Sequence, residues 1–161
     1  MRETLKVIGI DPGLAETGFG VVQGSATRIR DYTFGTIRTS KAETLPDRLH
    51  QIFSELGSIL NSEKPDLMII EDIFSLKQYP KSGIALGKVC GVILLAASQH
   101  GVQAVEVPVR EVKRILTGSG SASKSQMERV VRHLLKRDGP ITPSHASDAM
   151  ALALIGVFRN G

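Results

Sequence analysis

The stretch Val7-Ile8-Gly9-Ile10-Asp11-Pro12-Gly13, continued by Thr17-Gly18-Phe19-Gly20-Val21-Val22, decides how this chain folds. A short apolar run bounded by turn chemistry reads as a buried strand, and the second run reads as its neighbour. The first strand ends on a carboxylate. An acid directly after a buried strand points into the crevice where open sheets bind ligands. A second run, Leu67-Met68-Ile69-Ile70-Glu71, ends in the same way.

Working outward, Tyr32 to Arg38 alternates well enough for a third strand, and the first three strands form an antiparallel meander. A helix from Thr44 to Leu60 carries one apolar stripe through Leu45, Leu49, Ile52, Phe53, Leu56, Ile59 and Leu60. Strand four is Leu67 to Glu71, and a helix follows from Ser82 to Gln99. Strand five is Gln103 to Val107, and Pro108 starts a short helix ending near Leu116. The next helix carries Met127, Val130, Val131, Leu134 and Leu135, with Asp138-Gly139-Pro140 as its stop. Ser144 is the expected cap of a last helix, His145 to Phe158. The expected fold is α/β, a mixed five-stranded sheet flanked by helices on both faces, in one domain over residues 1–161.

With 42% hydrophobic and 22% charged residues, the chain carries enough apolar material for one core and is not a disordered polyelectrolyte. The single cysteine, Cys90, excludes an internal disulfide and a thiolate metal cluster, and is expected to be a buried thiol. The opening Met1-Arg2-Glu3-Thr4-Leu5-Lys6 is polar, and the apolar run after it is too short for a secretion leader. No stretch reads as membrane-spanning, so the expectation is a cytoplasmic protein with no membrane partner. Net charge is +4, unevenly placed: residues 1–75 hold eight Lys/Arg against eleven Asp/Glu, residues 76–138 eleven against four. An acidic half for cations beside a basic half for phosphates is one arrangement of a nuclease. On charge alone, ordinary scatter is the simpler account.

Asp11, Glu71, Asp148 and His145 each have an ordinary explanation as a turn former, a solvated strand end, or a first-turn helix residue. Together they say more. His145 and Asp148 are three apart, so a helix puts them on one face. If that helix packs across two neighbouring strands, three carboxylates and an imidazole meet. Carboxylates ~4 Å apart repel by about 4 kcal/mol per pair at an effective dielectric of about 20, so they must take up protons or cations. An oxygen-rich set of this kind takes Mg²⁺ or Mn²⁺, and the imidazole makes Mn²⁺ more comfortable.

Gly118 to Ser125 nearly spells a nucleotide-binding P-loop, but the second glycine is missing and a helix precedes it. The better functional reading is a loop that lets Lys124 and the following helix's amino end approach a DNA phosphate. Arg110, Arg114, Arg129, Arg132 and Lys136 extend an electropositive track, several of them doubling as solvated helix faces. The helix from Ser82 is apolar on nearly every side from Val89 to Ala97, so burial on more than one face is expected, as for a central helix between layers.

These residues, in order and at these intervals, resemble the RuvC crossover-junction endonucleases. The resemblance runs through Gly9-Ile10-Asp11-Pro12-Gly13 with Thr17-Gly18-Phe19-Gly20-Val21, Ile70-Glu71-Asp72-Ile73-Phe74, Gly118-Ser119-Gly120 with Lys124-Ser125-Gln126, and His145-Ala146-Ser147-Asp148-Ala149. It implies a ribonuclease-H-like fold and two-metal phosphodiester hydrolysis of four-way (Holliday) DNA junctions by paired symmetric nicks, in recombination and repair. Asp11, Glu71 and Asp148 match the catalytic carboxylates. His145 matches a fourth position that is often Asp, which lowers the site's charge by one. Two Mg²⁺ per site are implied, with Mn²⁺ also supporting activity. Lys113 and Lys124 match lysines near the scissile phosphate, and Phe74 matches a side chain that stacks on an unpaired base, flanked by Lys77 and Lys81. A homodimer, with the helix apolar from Val89 to Ala97 at its seam, and a functional link to the RuvA–RuvB branch-migration machinery are implied as well.

Three other readings stand beside this one. A ribonuclease-H-like nuclease of RNA or hybrids lacks a use for Phe74 and the glycine–lysine loop. A sugar-kinase-like ATP-binding protein shares the strand and Asp-x-Gly opening but needs a second domain, for which 161 residues leave no room. A non-catalytic junction-binding module requires the acids to be dispensable.

Overall fold

The computed structural model describes residues 4–73 and 80–161. Five strands form one sheet in the order β3-β2-β1-β4-β5. β1 (Leu5–Asp11), β2 (Glu16–Ser25) and β3 (Arg28–Arg38) are the antiparallel meander. β4 (Leu67–Glu71) and β5 (Gln103–Val107) extend it in parallel with β1 through helical crossovers. Strand alternation sorts the apolar residues onto two faces. Val7, Val22 and Ile69 face α3 (Val109–Thr117), α4 (Lys124–Leu134) and α5 (Ser144–Asn160). Ile8, Ile10, Met68 and Ile70 face α1 (Leu45–Glu63) and α2 (Pro80–Gln99). The expected mixed sheet with helices on both faces is what the chain forms.

α5 lies directly on the backbone of β1 and β2, and two glycines permit it. A Cβ on Gly9 would overlap the Ala149 carbonyl, and one on Gly18 would overlap the His145 carbonyl. Residues 144–157 are therefore pressed against the sheet, with everything from Ala149 to Val157 buried. This close seating brings the first turns of α5 to the end of β1.

Four expectations need correction. Ser144 is not a cap; Pro143 holds that place in extended backbone, and its carbonyl accepts the Ala146 and Ser147 N–H groups. α4 ends at Leu134, ahead of Asp138-Gly139-Pro140, because Lys136 takes a left-handed conformation with φ 53°. α2 is not enclosed between layers: among the described residues its buried stripe runs through Val89, Cys90, Ile93, Ala96 and Ala97, which leaves the subunit-seam reading for its second face standing. Its other side is open within the chain, with Ile84 63% and Leu95 54% exposed. Finally, Lys81–Gln99 is long and apolar enough, by length and composition alone, to cross a membrane. Val89, Val92, Ile93, Leu94 and Leu95 supply that apolarity, and Val89 and Ile93 are buried against one face of the sheet. Cys90 is buried as expected, and burial pushes its thiol up to about 11.

Candidate active site at the ends of two parallel strands

Asp11 is the last residue of β1 and Glu71 the last of β4. The strands are parallel neighbours in the register Ile10↔Ile70, so the two carboxylates leave the sheet side by side. α5 adds His145 and Asp148 from one face. All four line one pocket of about 370 Å³. Lys113 of α3 and Lys124, the first residue of α4, line it too. The rest of the wall is largely apolar, including Ile73, Leu86, Val112, Met127 and Leu152.

The side chains satisfy one another. His145 Nδ1 donates to Asp11 Oδ2 at 2.7 Å. Lys124 Nζ sits 3.7 Å from Asp148 Oδ2. Burial, a hydrogen bond with Asp11, and the charges of Asp11 and Asp148 push Glu71 from 4.5 up to about 8, against the opposing pull of Lys124. Burial and then the Asp11 charge raise Asp148 above the usual carboxylate range. The hydrogen bond to Asp11 raises His145. Crowding that raises carboxyl groups in this way marks a site that favours added positive charge.

The turn that carries Asp11 is held from two sides. Thr17, fully buried, donates to the Gly13 carbonyl at 2.6 Å and accepts from the Gly13 N–H at 3.3 Å. Thr39 donates to the Leu14 carbonyl at 2.6 Å, and Arg48 of α1 donates to Thr39 at 2.8 Å. Thr17 opens the stretch Thr17 to Val22, which reads as part of a strand and not as a support of the site; Thr39 stands in no sequence motif. The signal was a hydroxyl in a strand otherwise made of apolar and glycine residues.

The donor set fits a hard divalent ion: three carboxylates and an imidazole with uncompensated negative charge. As the side chains stand, no three such donors among the described residues converge on one ion-sized point. Asp11 is turned to His145 and Asp148 toward Lys124, so a cation has to displace these partners.

The basic residues separate. Lys113 and Lys124 belong to the pocket. Arg110 and Arg114 are exposed on α3, and Arg110 packs against Gly120 of the glycine–serine loop. Arg129 lines a shallow open groove of about 550 Å³ with Thr117, Ser119 and Ser121. Arg132 is engaged by Glu128 at 3.3 Å. Lys81 is exposed near the start of α2 and does not line the pocket. Lys136 lies with Arg28 and Arg30 beside the β2–β3 turn, at the end of the sheet away from Asp11, so it does not extend the track. Phe74, Lys77 and Tyr79 lie outside the described residues.

An acidic pocket where β1 and β4 end, in a five-stranded sheet of this order, is the ribonuclease-H-like arrangement. Residues 7–156 match the family model for crossover junction endodeoxyribonuclease RuvC. The RuvC protein of Syntrophomonas wolfei is 37% identical over 150 residues, covering 93% of this chain and 87% of the relative. That of Tolumonas auensis is 40% identical over 149 residues, covering 92% and 84%. The structure of T. thermophilus RuvC in complex with Holliday junction substrate superposes with a TM-score of 0.90 at 30% identity, covering 96% of this chain and 94% of that one. The chain belongs to the RuvC family of crossover junction endodeoxyribonucleases.

Proposed function

We propose that this chain is one ribonuclease-H-like nuclease domain over residues 1–161 that resolves four-way DNA junctions by paired symmetric nicks. The observation that carries this reading is the meeting of Asp11, Glu71, His145 and Asp148 in one pocket, in a chain 30% identical to a RuvC solved with a Holliday junction substrate. Those four residues would hold two divalent cations, Mg²⁺ or Mn²⁺. When bound, such ions lower the pKa of the attacking water and neutralise charge on the leaving oxygen.

The chain's own groups do the rest. The Asp11 turn, clamped by Thr17 and Thr39, fixes one carboxylate at the strand end. The exposed Lys124 ammonium rests against Asp148 and is free to swing to a phosphate oxygen. Lys113, from α3, supplies a second positive charge in the pocket. Phosphate contacts hold the backbone in register but carry no sequence information. Arg110, Arg114 and Arg129 continue the contact along an arm of the junction, with Arg132, Lys77 and Lys81 as further candidates and Phe74 as the base-stacking side chain.

A junction needs two opposed cuts, and each chain has one set of carboxylates. A two-fold dimer supplies two matching sites. The open apolar side of α2, with Ile84 and Leu95, is the surface suited to the seam. A cytoplasmic location and cooperation with RuvA–RuvB follow from the same reading. The test is incubation of the purified chain with a synthetic four-way junction, an RNA–DNA hybrid and single-stranded RNA, with and without Mg²⁺ or Mn²⁺. Cation-dependent paired nicks in the junction support the proposal. Cleavage of the hybrid in preference to the junction overturns it.

A further inference from the structure

Two charged contacts cross the carboxylate pocket, and they differ in kind. His145 meets Asp11, and Lys124 meets Asp148. An imidazole can turn a ring nitrogen to a cation and stay in the site. An ammonium has three donors and no lone pair. Lys124 therefore cannot ligate a cation, and it has to leave Asp148 before one binds there.

The local structure lets it leave without refolding. Lys124 is the first residue of α4, and a capping box fixes its backbone. The Gln126 N–H donates to Ser123 Oγ at 3.2 Å, and the Ser123 N–H donates to Gln126 Oε1 at 2.8 Å. The Lys124 side chain is 74% exposed and that of Asp148 31%, with 3.7 Å between Nζ and Oδ2. An ion pair so open to water is weak, and rotation about side-chain bonds is enough to break it. Its influence still reaches two carboxylates, because the ammonium pulls against the upward shifts of both Asp148 and Glu71. A divalent ion competes with this single charge for the acids. A DNA phosphate competes with the acids for the lysine.

We propose that the Lys124–Asp148 pair is a latch that couples cation loading to DNA. In the DNA-free chain the ammonium holds the Asp148 side of the pocket against a divalent cation. An arriving phosphate oxygen takes the ammonium over and releases Asp148, so cation and DNA each strengthen the other's binding. Linkage makes the gain equal in both directions. The latch rests on the reading of this pocket as a cation-dependent nuclease site, and adds to it a control on when the site fills.

The test needs no cutting. Ca²⁺, a hard ion that takes oxygen ligands, is titrated into the full DNA-free chain by calorimetry. Affinity for a fluorescein-labelled synthetic four-way junction is then measured by anisotropy with and without Ca²⁺, at constant ionic strength. Lys124→Gln should bind Ca²⁺ about fivefold more tightly than the parent, the upper range for an exposed ion pair. Lys124→Arg keeps the charge and should bind Ca²⁺ no more tightly than the parent. The gain in junction affinity that Ca²⁺ brings should shrink by about the same fivefold in Lys124→Gln, and stay within about twofold of the parent's in Lys113→Gln. Unchanged Ca²⁺ affinity in Lys124→Gln, or an equal gain in that variant and the parent, overturns the latch and leaves the nuclease reading intact. So does a Lys113→Gln variant that matches Lys124→Gln, which would make the total charge of the pocket the cause. A parent chain that binds no Ca²⁺ overturns the latch and the nuclease reading together.

Discussion

His145 Nδ1 and Asp11 Oδ2 meet at 2.7 Å across 134 positions of sequence. The contact exists because α5 rests on the glycines of β1 and β2 and so places its second residue over the end of β1. It also shows how the pocket is stabilised without a cation: an imidazole drawn toward its charged form offsets one of three carboxylates. His145→Asp removes that offset and adds a fourth acid. The cation-free variant should melt at lower temperature than the parent, while its half-saturating Mg²⁺ concentration for junction cutting falls. An unchanged melting temperature in chelator would mean that the imidazole contributes nothing to holding the pocket together.

The pH dependence of stability follows from the same crowding. Glu71, Asp148 and His145 all hold protons more tightly in the folded chain. Between the free carboxyl value of 4.5 and about 8 for Glu71, the folded chain binds more protons than the unfolded one. Stability therefore falls as pH rises through that interval, on the order of a few kcal/mol. In chelator, the melting temperature should be higher near pH 5 than near pH 8, and Glu71→Gln should flatten the slope. Added Mg²⁺ or Mn²⁺ should stabilise more at pH 8, where it does not compete with a proton. A cation-free melting temperature that climbs with pH is the contrary result.

Asp11→Asn keeps the shape of the strand end and removes its charge. Junction cutting should be lost and junction binding retained, measured by gel shift in Ca²⁺ or chelator. A variant that still cuts removes Asp11 from the chemistry.

Thr17→Val is nearly isosteric but leaves the Gly13 N–H and carbonyl without their partner. A loss of about 1–2 kcal/mol of stability is expected, since the Thr17 side chain is fully buried and both bonds to the part-buried Gly13 are lost. If the turn positions Asp11, cutting should fall most at sub-saturating cation and recover partly as cation is raised. Thr17→Ser should restore most of the activity. Equal loss at all cation concentrations would reduce Thr17 to a purely structural residue.

Lys124→Gln should weaken junction binding and reduce the slope of log affinity against log salt by about one, as expected for one lost phosphate contact. It should also raise the Glu71 and Asp148 protonation midpoints further, because the lysine lowers both. Carboxylate titrations followed by NMR would show this second effect even if the first is masked by neighbouring cations.

Much of this site was legible in the sequence because two apolar runs, the later β1 and β4, end on the acids Asp11 and Glu71. The i, i+3 spacing of His145 and Asp148 needed only a helix to become a shared face. The remainder depended on contacts between distant segments. Pro143 displaces Ser144 as the cap because of backbone geometry that propensity does not carry. Lys136 stops α4 in a left-handed conformation that a lysine rarely adopts, so Asp138-Gly139-Pro140 looked like the stop. The apolar sides of α2 are indistinguishable by periodicity, and only the placement of the sheet decides which is covered.

The seating of α5 on Gly9 and Gly18 makes the distance between helix and sheet a tunable spacing. Each methyl group introduced on those strands is a shim that lifts the helix away and opens the gap between its polar residues and the strand ends. A graded series at Gly18, from alanine to valine, would thus turn backbone clearance into a dial for cation demand, with no donor atom altered.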